Sequence, residues 1–210
     1  MAVALTAFAG SDIRWIEEVK LYDGRVIELQ RRVGLAASAV PAQRRGRIEY
    51  HEICYPAMKL RWKSAAAYLP DLFDIVEGKA YVHVPLGACH ECGLHGDPEP
   101  NALYFVWERG EWKRIRHEEF PRASEWNLLM AFVSAPGHEQ DDPRGRLTLE
   151  HKAQRSTSLR LEQERLGWKR MNESYDWRDG CRKCGRQQPN AFFADAREIF
   201  VSDAKTSCEP

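Results

Sequence analysis

The residue order predicts a mainly β, α+β protein: an antiparallel sheet or sandwich assembled from hairpins, with a helical C-terminal extension. Three observations carry this expectation. Runs rich in β-branched and aromatic residues flank turns at Asp23-Gly24, Glu77-Gly78 and Arg109-Gly110, the mark of two-stranded antiparallel pairs. Hydrophobic residues are 43% and charged residues 30% of a 210-residue chain, the balance of a globular protein long enough to bury its own core. Beyond the Pro-, Gly- and Asp-rich stretch Pro136–Gly145, the composition shifts to Leu, Glu, Gln, Arg and Lys, which favours helix.

The elements follow in order. Met1–Gly10 is small and apolar and contains an Ala-Phe-Ala triplet; residues 1–12 read as a signal-peptide remnant lacking its basic start, or as a disordered N-terminus. Residues 13–135 are expected to form the antiparallel β domain. Within Arg14–Arg32 two strands flank Asp23-Gly24, with Ile16, Val19 and Leu21 facing Val26, Ile27 and Leu29. A type I′ turn, with positive φ at both central residues, is expected there. Gly34–Gly46, with Pro41 and Arg44-Arg45, reads as a solvated surface loop. Arg47–Lys63 gives two more strands broken at Pro56. In the first, Glu52 and Cys54 share one side, with Cys54 expected to be half buried, while His51 and Ile53 share the other. His51 is read as a surface or hydrogen-bonded histidine.

Leu72–Leu86 repeats the hairpin, with Tyr81, His83 and Pro85 opposite Val82, Val84 and Leu86, and His83 is given a structural role. Leu103–Trp107 and Trp112–Ile115 make the next pair. Residues 136–145 form the linker and 146–210 the helical, Cys-containing extension. A thin apolar stripe of Leu149, Ala153, Leu159 and Leu166 suggests a surface helix over Leu147–Met171. Phe192, Phe193, Ala196, Ile199 and Phe200 lie on one face of a second helix, with Asn190 as its cap.

The chemistry-bearing motif is a repeated Cys-x-x-Cys-Gly. Cys89 and Cys92 precede Gly93, and Cys181 and Cys184 precede Gly185. This spacing lets two thiolates meet one ion, and two such units complete a four-cysteine site, so Cys89, Cys92, Cys181 and Cys184 are the candidate ligands of one structural zinc. Disulfide pairing is the competing account. The first cysteine, Cys54, and the last, Cys208, complete the set of six; Cys208 closes a disulfide or stays free. An exported location favours disulfides, a cytosolic one favours metal.

Lys+Arg and Asp+Glu both number 31, so no global field attracts a polyanion, and nucleic acid is not an expected partner. No run reaches the ~20 apolar residues a membrane-spanning helix requires, so no transmembrane segment is expected. Nor is there a nucleophile elbow, a zinc-protease helix motif, a P-loop or a dinucleotide fingerprint. Glu17-Glu18, Glu118-Glu119 and Asp141-Asp142 are adjacent carboxylates, which in a strand point to opposite faces, and they read as surface charge. Trp107 and Trp112 flank one turn, while Trp126, Trp168 and Trp177 fall in loops or helix ends; exposed, they would suit a partner, and buried, they are core.

Several segments resemble a family of uncharacterised proteobacterial proteins, many with export or lipoprotein-type leaders. They are Trp15–Glu18, Leu21–Ile27, Asp74–Tyr81, Tyr104–Trp107, Gly110–Ile115, Asn127–Leu129 and Leu147–Lys152. The resemblance implies a periplasmic or envelope location and supplies no catalytic residue. The resulting expectation is a non-enzymatic cell-envelope interaction or structural protein with a protein partner. The alternatives are a cytosolic zinc-knuckle protein touching nucleic acid or protein through Arg182, Lys183 and Arg186, and a thiol-disulfide redox protein built on Cys181 and Cys184.

Overall fold

A computed structural model describes residues 11–36, 48–65, 68–86, 89–96, 101–121, 127–128, 145–153 and 208. The mainly β, antiparallel expectation holds. Strands β1 (Ser11–Lys20), β2 (Val26–Leu35), β3 (Ile48–Tyr55), β4 (Leu60–Ala65) and β9 (Arg146–Leu147) form one sheet in the order β4-β3-β2-β1-β9. Strands β5 (Leu72–Val76), β6 (Lys79–Pro85), β7 (Ala102–Glu108) and β8 (Glu111–Ile115) form the other, in the order β5-β6-β7-β8. All pairings are antiparallel except β9, which runs parallel to β1. One short helix, α1 (Cys89–Leu94), lies between β6 and β7.

The two sheets form a sandwich because each carries one apolar face. Val19, Leu29, Ile53 and Trp62 from the first sheet join Phe73, Val82, Val84, Leu103 and Phe105 from the second in one buried cluster. Trp62 is the pivot, meeting Phe105 edge-on at 4.8 Å and Trp112 at 4.9 Å, geometry that aromatic quadrupoles favour. Side chains also staple the sheet margins. The Trp112 indole N–H donates to the Arg61 carbonyl at 2.8 Å, joining β8 to β4. At the opposite margin Asn127 donates to the carbonyls of Lys20 and Phe73 and accepts from Phe73 N–H, so it ties β1 to β5.

The turn chemistry differs from expectation at one place. Glu77 and Gly78 have φ of 51° and 76°, and Arg109 and Gly110 have φ of 55° and 84°, the two-residue I′ form that matches strand twist. At Asp23-Gly24 only the glycine is left-handed, with φ 86°. There the Asp23 carboxylate accepts from Arg25 N–H at 3.0 Å, while Gly24 N–H bonds back to the Leu21 carbonyl. This local bond widens the loop and keeps Asp23 out of the left-handed region.

Facing also departs from expectation in β1 and β2. The inward residues are Trp15, Glu17, Val19 and Leu21, and opposite them Leu29, Arg31 and Val33. Ile16 falls on the other face and Val26 is exposed, because strict alternation places every second residue together. The expected helix over Leu147–Met171 begins later than predicted: Arg146 and Leu147 pair with Ile16 and Glu17 of β1, and helix starts at Leu149. Thr148 caps it, its hydroxyl accepting from His151 N–H at 3.2 Å. Residues 154–171 of the expected helix, and the expected Asn190–Phe200 helix, lie outside the described residues.

Candidate functional site

Two features stand out from a plain apolar sandwich: the cysteines and a charged network inside the core. Cys54 and Cys208 form a disulfide, with Cα atoms 5.7 Å apart across 154 positions of sequence. Cys54 is buried rather than half buried. It points away from its inward neighbour Ile53, so the bond fastens the C-terminal tail to the outer face of the first sheet. Cys89 opens α1. Cys92 lies one turn later in the apolar core and is also disulfide-bonded. Cys181 and Cys184 lie outside the described residues, as do Trp126, Trp168, Trp177, Arg182, Lys183 and Arg186. Among the described residues no three His, Cys, Asp or Glu side chains converge as a metal site would require.

The charged network was not anticipated. Glu17, expected to be solvated, is fully buried, and Arg31 Nη1 donates to its Oε2 at 2.8 Å, with both side chains at most 1% exposed. Lys152, delivered by the helix after β9, donates to the other Glu17 oxygen at 2.9 Å. Its ammonium also reaches the Glu18 carbonyl at 2.7 Å and the Asn127 carbonyl at 2.5 Å. All three of its donors are used. Burial pushes the Lys152 ammonium and the Arg31 guanidinium below their ordinary pKa ranges, and Glu17 opposes both shifts. Glu18, the adjacent carboxylate, points to the opposite face, where it meets Arg146 and the Leu149 N–H. Arg146 bonds Glu28 as well.

The signal for Glu17 and Arg31 was present in the sequence. Each is in phase with buried neighbours, Glu17 with Val19 and Leu21, Arg31 with Leu29 and Val33. No local pattern marks Lys152, which arrives across 135 positions.

The remaining polar groups serve the fold. His83 Nδ1 lies 2.5 Å from Asp71 Oδ1, and its ring packs beside Tyr104 and Phe120, consistent with the structural role expected of it. Burial, with Asp71 and Glu118 nearby, pushes the Tyr104 phenol up to about 12. His51 is buried, so of its two expected roles the surface one is overturned. Asp74 accepts from the Tyr22 and Ile75 N–H groups, adding a second tie between the sheets. The tryptophans described, Trp15, Trp62, Trp107 and Trp112, all belong to the core or pack against it. No helix among the described residues is long and apolar enough to cross a membrane. No family model, curated protein or solved structure matches the chain.

Proposed function

We propose that this protein is a non-enzymatic component of the cell envelope, a disulfide-clasped β-sandwich that serves as an interaction or structural module for a protein partner. The Cys54–Cys208 bond carries the reading. A covalent link between two distant positions persists in an oxidising space and is lost in a reducing cytosol. The bonded state of Cys92 points the same way. The buried carboxylates Glu17 and Asp71 are spent on internal contacts, Glu17 on Arg31 and Lys152, and Asp71 on His83. That usage suits a scaffold better than general acid–base chemistry.

Thiol counting with metal analysis tests the proposal. Protein purified without added metal or reductant and unfolded in denaturant should show no reactive thiol, six after reduction, and no bound zinc. About one equivalent of zinc with four chelator-released thiols would instead establish the four-thiolate site at Cys89, Cys92, Cys181 and Cys184. The cytosolic zinc-knuckle account would then replace this one.

A further inference from the structure

The bonded cysteines sit in different surroundings. Cys92 is 1% exposed and lies within the main apolar cluster. Cys54 faces the other way, alternating with the core residue Ile53; it is 4% exposed but belongs to neither apolar cluster, and its partner Cys208 is only half-buried. Among the described residues Cys208 meets β3 through the disulfide and β4 through its sulfur, 3.2 Å from the Leu60 carbonyl oxygen. The strands beneath are held by other means. β3 is paired with both β2 and β4, Arg61 of β4 is bridged to Glu52 of β3 at 2.7 Å, and Trp112 joins β4 to the second sheet. Every buried residue of the two apolar clusters lies between Trp15 and Leu147 in the sequence. Thiol–disulfide exchange requires a thiolate to reach one of the two sulfurs, so access governs the rate. A link inside the core is reached only when the core opens.

We propose that Cys54–Cys208 is a redox latch: a protein dithiol opens it and frees Cys208 from the first sheet, while the sandwich and the Cys92 link stay closed. The attack falls on Cys208, the more exposed half of the pair. A thiolate of the dithiol bonds to the Cys208 sulfur, the Cys54–Cys208 bond breaks, and Cys54 leaves as a thiolate that takes up a proton. The second thiolate of the dithiol then attacks its own partner sulfur in the mixed disulfide and releases Cys208, which is protonated in turn. The dithiol ends as a disulfide, and two electrons and two protons have passed to Cys54 and Cys208. A dithiol suits this exchange better than a monothiol, because its second sulfur is already held beside the mixed disulfide and competes with the return of Cys54. The latch rests on the oxidised state proposed above, and turns that bond from a permanent clasp into an operable one.

The test treats full-length oxidised protein with dithiothreitol in the absence of denaturant. Aliquots are quenched in acid, unfolded and alkylated, so that buried and exposed thiols count equally, and peptide mass spectrometry reads each cysteine. Tryptophan fluorescence follows the core in parallel. Cys54 and Cys208 should appear as thiols together, about tenfold or more faster than Cys92, with the fluorescence unchanged. Reduced glutathione at matched thiol concentration should open the same bond more slowly. The double variant Cys54→Ala with Cys208→Ala should keep the fluorescence and circular dichroism of the oxidised protein. Opening of Cys92 first or in step with Cys54, loss of fluorescence in parallel with Cys54 release, glutathione as fast as the dithiol, or failure of the double variant to fold would each overturn the latch. Free thiols at Cys54 and Cys208 before any treatment would remove the oxidised reading and the latch together, whereas a bond that is present but opens late removes the latch alone.

Discussion

Glu17 shows how a single inward position can govern a fold's margin. Its carboxylate pairs with both a buried guanidinium and a largely buried ammonium, so the residue's worth lies in what its removal leaves behind. Breaking a buried pair from one side typically costs about 3–5 kcal/mol, while replacing both members with apolar side chains is often neutral. Glu17→Ala should therefore fall in that range in urea unfolding. The double change Glu17→Leu with Arg31→Met, which leaves Lys152 on the Glu18 and Asn127 carbonyls, should cost less than Glu17→Ala alone. If the double variant is the less stable of the two, the network is a net source of stability rather than a matched set.

Pairing between strands depends on contacts of similar economy. On the outer face of the first sheet, Tyr50 of β3 lies against Gly34 of β2, and a Cβ at Gly34 would sit 2.0 Å from the Tyr50 ring. The ring is held there from several directions: its hydroxyl donates to Asp12 at 2.9 Å, and the Lys63 ammonium lies 4.2 Å from its centroid. A methyl group at position 34 must displace that ring and break these contacts together. Gly34→Ala should accordingly destabilise by about 1–3 kcal/mol, the usual range for overpacking. In a Tyr50→Ala background most of this penalty should vanish, which a double-mutant cycle by chemical unfolding would show. A penalty unchanged in that background would place the strain in the backbone instead.

For the molecule as a whole, the Cys54–Cys208 link closes a loop spanning 154 positions, so its principal effect is to restrict the unfolded chain. Such crosslinks contribute about 2–5 kcal/mol. Cys208→Ser in otherwise oxidised protein should lose that much in denaturant titration, with the strand signature of the circular dichroism spectrum retained. Loss of the sheet itself would mean that the tail contributes packing as well as tether.

Much of this architecture was legible from local chemistry. Glycine turns at positions 24, 78 and 110, β-branched runs beside them and alternating burial in β6 follow from steric limits acting within a few residues. For the same reason Pro56 correctly marked the break between β3 and β4. Long-range partners were not legible. The choice of Cys208 as partner to Cys54, the arrival of Lys152 beneath Glu17 and the pairing of β9 with β1 all depend on the order in which strands assemble into sheets. That order is settled by total burial and hydrogen-bond satisfaction over the whole chain, a sum that no short window of residues contains. Strand, turn and hairpin thus belong to neighbouring residues, whereas which charge is buried and which sulfur meets which belongs to the packed sandwich.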